Sequence, residues 1–150
     1  MQAVKLLTKN LLTPTRAKRF LFFFIADFFI IAISFYSAFY IRFGFTFPDK
    51  YFPRFWYWLA ALIVLKIFSL FLVGLYRINW RFVSLTELVS LIQMGTVVTA
   101  VVFLANLFVI RKYLPAYDLP RGIIIIEAFL SFFLIGILRI GKRVYFQLAN

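Results

Sequence analysis

The chain contains no cysteine and no histidine in its 150 residues. A disulfide framework, a thiolate metal site, a haem-ligand pair and a Cys/His nucleophile system are therefore excluded. Acidic residues are also scarce, with 5 Asp and Glu in total. We accordingly expect no catalytic residue, no cofactor-binding residue and no metal ligand within this chain.

Basic residues are abundant, because 17 Lys and Arg against 5 acids give a formal net charge of +12. They occur in short clusters between long apolar runs, a pattern typical of membrane flanks and unlike the basic face of a nucleic-acid-binding domain. Hydrophobic residues make up 65% of the chain, against about 45–50% in a soluble domain. We therefore expect a lipid bilayer as the main partner, and no nucleic acid.

Four apolar runs are each long enough to cross a hydrocarbon core about 30 Å thick. They predict an all-α integral membrane protein, a four-helix transmembrane bundle that forms a single domain over residues 1–150. The predicted spans cover about residues 20–41, 55–75, 88–110 and 121–138.

The segment before the first span predicts a short N-terminal helix in the membrane interface. Val4, Leu7 and Leu11 recur at helical spacing, while Lys5 and Lys9 lie off that stripe.

An even number of spans places both termini on one side of the membrane. The positive-inside rule assigns that side to the cytoplasm, since it would hold ten basic residues against six on the other side. The ten are Lys5, Lys9, Arg16, Lys18, Arg19, Arg77, Arg81, Arg139, Lys142 and Arg143. The absence of cysteine fits a bacterial inner membrane, which is the location we expect.

Three charged residues, Asp27, Lys66 and Glu127, fall inside predicted spans. A charge at the centre of a span costs about 2.5–3.5 kcal/mol on insertion scales, so such residues usually face the bundle interior and find partners. Estimated depths favour a structural ion pair between Asp27 and Lys66, and a second charge site that joins Glu127 to Arg42. The alternative is a proton or ion path along these carboxylates, which the unequal depths disfavour.

The connection between spans two and three carries Arg77, Trp80 and Arg81. The simplest interpretation is a loop anchored at the lipid headgroups by these long side chains. The sharper alternative is a site for a phosphate-bearing lipid, either an anionic or a polyprenyl lipid, or for docking of another domain.

Four groups of residues, in this order and spacing, resemble the N-terminal membrane domain of a bacterial family. The family is that of the polysaccharide-biosynthesis nucleoside-diphosphate-sugar dehydratases and epimerases. The groups are Asp27 with Tyr40-Ile41-Arg42-Phe43; Gly74-Leu75-Tyr76-Arg77 with Trp80, Arg81 and Ser84; Leu119-Pro120-Arg121 with Glu127; and Arg139 with Arg143. The resemblance extends from about residue 18 to 146.

The resemblance implies a membrane anchor for a C-terminal cytoplasmic domain that binds NAD(P) and acts on UDP-linked N-acetylhexosamines. No G-x-G-x-x-G fingerprint follows a strand here, so the NAD(P) site would belong to an absent catalytic domain and no catalytic residue is transferred. Two alternatives stay open. One is the membrane domain of a polyprenyl-phosphate sugar-phosphate transferase, and the other is a standalone four-helix scaffold or transporter-like protein. Oligomerisation is a further property that an anchor domain could have.

Overall fold

A computed structural model describes residues 16–76 and 85–148 of the chain. These residues form helices and short turns, and no strand occurs among them. The four long helices are α1 (Arg16–Phe43), α2 (Phe52–Leu72), α3 (Leu85–Leu104) and α4 (Arg121–Leu148). The predicted interfacial helix lies almost wholly in residues 1–15, outside the described residues.

All four helices are long and apolar enough to span a membrane, which confirms the predicted helical membrane fold. The apolar spans are Phe20–Phe43, Asp49–Leu72, Thr86–Tyr113 and Arg121–Lys142. Large apolar side chains remain exposed along them, including Phe29 on α1, Val64 on α2 and Phe129 on α4. In a lipid environment these side chains face hydrocarbon rather than water.

The helices form a closed ring in which each packs against two neighbours. The α2 helix contacts α1 and α3, and the α4 helix contacts the same two. Accordingly, α2 and α4 face each other diagonally across the bundle. Buried aromatic and aliphatic side chains, such as Ile31, Phe35 and Leu62, fill the space between the helices.

The α2 helix ends at Leu72, three residues before the predicted limit of span two. Gly74 has a φ of +77°, a left-handed conformation that few other residues adopt. The amide of Gly74 donates to the carbonyl of Phe71, and the amide of Leu75 donates to that of Leu70. This is the Schellman arrangement, which satisfies the last carbonyl groups of a helix and reverses the chain.

Span three does not end as a regular α-helix. Residues Ala105–Ile110 form a π-helical turn, followed by one α-helical turn at Arg111–Tyr113. A 3₁₀ turn at Pro115–Tyr117 then leads into α4. We call this end of the bundle, formed by residues 44–51 and 111–120, the distal end, and the opposite end the proximal end.

The distal connection is held by side chains that bind its backbone. Asn106 donates to the carbonyl of Leu119 at 2.9 Å and accepts from the amide of the same residue at 3.1 Å. The indole of Trp58 donates to the carbonyl of Tyr117 at 2.8 Å, and Arg54 donates to that of Asp118 at 3.3 Å. The polar residue Asn106 in span three therefore has a structural partner, and the start of α4 is fixed against α2 and α3.

Candidate functional site

The centre of the bundle contains a buried ion pair between Lys66 on α2 and Glu127 on α4. The Lys66 Nζ lies 2.5 and 2.6 Å from the two carboxylate oxygens of Glu127, and 2.7 Å from the hydroxyl oxygen of Ser131. Lys66 and Glu127 are each only 1% exposed. An ammonium group has three donors, and here all three have an oxygen to donate to.

An aromatic ring covers the Lys66 ammonium on the side of α3. The Lys66 Nζ lies 4.8 Å from the centre of the Phe132 ring, within range of a cation–π interaction. The same ring packs on Gly95 of α3, where an added Cβ would lie 2.6 Å from the Cζ of Phe132. Gly95 thus provides the space in which the ring lies beside the ion pair.

A second buried ion pair, near the proximal end, joins Asp27 on α1 to Arg139 on α4. The Arg139 Nη2 donates to Asp27 Oδ2 at 3.1 Å, and the Tyr76 hydroxyl donates to the same oxygen at 2.9 Å. The Arg139 Nη1 donates to the carbonyl of Leu75 at 3.1 Å. The guanidinium also lies 5.2 Å from the ring centre of Phe23.

The Schellman turn after α2 gives this proximal cluster its shape. Because Gly74 reverses the chain, the Leu75 carbonyl and the Tyr76 hydroxyl reach the two partners of the second ion pair. Burial, and then the nearby Asp27 carboxylate, raise the pKa of Tyr76 above its usual value of 10.0. Tyr76 is therefore a protonated donor throughout the physiological pH range.

Two atoms of the proximal cluster lack a hydrogen-bond partner among the described residues: Asp27 Oδ1 and Arg139 Nε. The hydroxyl of Ser34, two turns further along α1, also lacks a hydrogen-bond partner among the described residues. Buried groups of this kind are expensive to leave unsatisfied. They mark the α1–α4 interface as more polar than the hydrocarbon outside it.

The predicted pairing of the intramembrane charges was wrong in its partners. Asp27 pairs with Arg139 rather than Lys66, and Glu127 pairs with Lys66 rather than Arg42. The reason is that Arg139 does not flank the membrane outside span four. It lies inside the 28-residue helix α4, with 4% of its surface exposed, and takes the partner expected for Lys66.

Arg42, in the last turn of α1, lies beside the start of α4 and about five residues before Glu127 along that helix. Its side chain crosses Gly122, where an added Cβ would lie 3.1 Å from Arg42 Cδ and Nε. Arg42 is exposed and forms no ion pair with the described residues. The third predicted site, Arg77, Trp80 and Arg81, lies outside the described residues.

Three functional side chains were not singled out as partners by the sequence: Tyr76, Ser131 and Arg139. The spacing of four residues that joins Glu127 to Ser131 was a usable signal, because residues four apart lie on one helix face. The same spacing continues through Ile135 to Arg139, and all four residues are buried. In an otherwise apolar helix, polar residues at three of four such positions predict a polar stripe that faces other helices.

The two ion pairs are suited to holding helices together. Each carboxylate faces a cation at hydrogen-bond distance, and the described residues contain no group of three or more Asp, Glu, His or Cys that could hold a metal ion. Such an arrangement neutralises charge within the membrane and fixes the relative positions of three helices.

In the comparisons with known proteins, no family model, no curated protein and no solved structure matches the chain.

Proposed function

We propose that this chain is the membrane-anchor domain of a nucleotide-sugar dehydratase or epimerase of bacterial surface-polysaccharide biosynthesis. Its role is to place a C-terminal, NAD(P)-dependent catalytic domain at the cytoplasmic face of the inner membrane. The chain itself provides position and not catalysis.

One observation carries the proposal: residues from three separate groups of the resemblance meet in the proximal cluster. Asp27 comes from the first group, Leu75 and Tyr76 from the second, and Arg139 from the last. Residues far apart in sequence have a common physical reason to occur together when they form one buried network. The third group contributes Glu127, which completes the other ion pair.

The continuation of α4 beyond its apolar span supports this role. The helix continues without interruption from its apolar span, which ends at Lys142, to Leu148. A continuous helix transmits position to whatever follows it more rigidly than a flexible linker does. With the cytoplasmic orientation of the termini that the positive-inside rule favours, this extension leads into the compartment that holds nucleotide sugars.

The proposal is tested with the complete reading frame in which this chain occurs. We expect a strand followed by G-x-G-x-x-G after Asn150, and purified full-length protein that converts a UDP-linked N-acetylhexosamine with bound NAD(P). A stop codon directly after Asn150 would refute the proposal and favour a standalone scaffold. Transfer of a sugar phosphate to polyprenyl phosphate would instead establish the transferase alternative.

The orientation has its own test, which the lack of cysteine makes simple. Single cysteines at Asp49, in the distal connection, and at Asn79, between α2 and α3, are labelled with a membrane-impermeant maleimide in intact cells. We expect labelling at position 49 from outside and at position 79 only after the membrane is opened. The reverse pattern would place the termini outside and remove the catalytic domain from its substrates.

A further inference from the structure

An apolar groove lies between the α3 and α4 helices, on the lipid-facing side of the bundle. Its volume is about 880 Å³, within the usual range for a site that holds a small molecule. Its walls include Gly95, Ala100 and Leu104 on α3, and Ile125, Phe132 and Gly136 on α4. The lining extends along about 22–24 Å of helix, most of the thickness of a hydrocarbon core.

The groove offers its occupant few polar groups. The hydroxyl of Thr96, which lies on the wall, donates to the carbonyl of Ile92 within α3 at 2.9 Å. The Phe132 ring forms part of the wall and separates the groove from the Lys66 ammonium. An occupant of this groove must therefore be apolar along its length.

Basic residues lie beyond the distal end of the groove. Arg121 lies one helical turn beyond Ile125, and Arg111 and Lys112 follow the π-helical turn after Leu104. All three are exposed, and none forms an ion pair with the described residues. Asp118 is the single acid between residues 111 and 121, so the segment keeps an excess of two positive charges.

From this combination we infer that the groove binds an anionic phospholipid. Its acyl chains lie between α3 and α4, and its phosphate is held by Arg111, Lys112 and Arg121. An apolar channel that ends in a cluster of cations matches a molecule with hydrocarbon at one end and negative charge at the other. This inference does not depend on the proposed catalytic domain.

Charge argues against a second copy of the chain as the occupant. A copy carries a net charge of +12, and only Asp49 and Asp118 are acidic in or beside the distal segments 44–51 and 111–120. Packing such a copy along the groove would bring like charges together at its basic end, whereas a lipid phosphate neutralises them.

The test is native mass spectrometry of the full chain in micelles that contain equal amounts of phosphatidylglycerol and phosphatidylcholine with identical acyl chains. We expect retained phosphatidylglycerol to exceed phosphatidylcholine by at least about tenfold, a lower bound for three cations that each strengthen binding of an anionic headgroup by about fivefold. Arg111→Gln/Lys112→Gln/Arg121→Gln should abolish that preference. Equal retention of the two lipids by the unmodified chain would overturn the inference.

Matched controls separate this site from general attraction to charge and from changes in folding. Arg121→Gln should weaken phosphatidylglycerol retention, whereas Lys50→Gln, at the same end but between α1 and α2, should not. Ala100→Phe fills the groove and should reduce retention of both lipids, whereas Ala61→Phe, on the exposed surface of α2, should leave it unchanged. Equal effects within either pair would contradict the site.

Other occupants would be visible in the same spectra. A dimer that is lost in Ala100→Phe and retained in Ala61→Phe would show that a second copy fills the groove. Polyprenyl phosphate that displaces phosphatidylglycerol at equal concentration would show that the ligand is a different lipid. Either result would overturn the assignment to a phospholipid.

Discussion

Lys66 and Glu127 join the two helices that face each other diagonally across the bundle, with the ammonium 2.5 and 2.6 Å from the carboxylate oxygens. The neighbouring α1 and α3 helices pack on both α2 and α4. The ion pair therefore links two helices that pack on common neighbours and holds the centre of the bundle together.

The first prediction concerns the cost of separating this pair. Lys66→Met or Glu127→Gln alone should lower the free energy of unfolding by about 3–5 kcal/mol, because each leaves a buried polar or charged partner unsatisfied. The double variant Lys66→Met/Glu127→Gln should cost less than the sum of the two single losses, since no charge remains. Reversible unfolding in mixed micelles, followed by circular dichroism, gives the three values. Strictly additive losses would mean that the two residues do not interact.

The second prediction distinguishes the observed pairs from the pairs expected from depth. Asp27→Asn and Arg139→Gln should show a coupling of about 0.5–3 kcal/mol, the range for residues in one network. Asp27→Asn and Lys66→Met should be additive within about 0.5 kcal/mol, because they belong to different ion pairs. The same unfolding assay measures both double-variant cycles. Coupling of Asp27 to Lys66 would reinstate the pair predicted from the sequence.

The sequence was sufficient to predict the four membrane helices and the polar residues inside them, but not the partners of those residues. Hydropathy detects the length of an apolar run. Asp27 and Arg139 lower the hydropathy of their runs by the same amount whichever residues they contact. The choice of partner depends on which helices are adjacent and on how far α4 continues past Leu138. Hydropathy gives no information on either point. A flexible Lys or Arg side chain also spans several ångströms of depth, so matching depths from helix ends alone is ambiguous.

The third prediction is a dependence of stability on alkaline pH that belongs to Tyr76. Its pKa is raised in the folded chain by burial and by Asp27, so its contribution is complete below pH 10, the usual value for the unfolded chain. Above pH 10 the unfolded tyrosine ionises and the folded one does not, which removes up to about 1.4 kcal/mol per pH unit. Between pH 10 and 11, where the unfolded tyrosine goes from half to mostly ionised, the unmodified chain should therefore lose about 1 kcal/mol relative to Tyr76→Phe. Parallel curves for the two proteins would contradict the shift.

The fourth prediction concerns the turn that ends α2. Gly74→Ala should destabilise the chain by about 1–2 kcal/mol, because a Cβ is disfavoured at a φ of +77° although no atom lies within 4 Å of its position. Gly141→Ala on α4 is the matched control, since its Cβ also meets open space but its backbone is helical. That change should stabilise the helix by about 0.5–1 kcal/mol. Similar losses in both variants would mean that the left-handed turn is not the cause.

The last prediction tests whether Phe132 links α3 to the central ion pair. Gly95→Ala places a methyl group 2.6 Å from the Phe132 ring, so the ring must move from its position over Lys66. Overpacking of this kind costs about 1–3 kcal/mol. Combining Gly95→Ala with Phe132→Leu should recover part of the loss, because the smaller side chain leaves room for the methyl group. If Phe132→Leu and Gly95→Ala were instead additive, the ring would not be the group that requires a glycine at position 95.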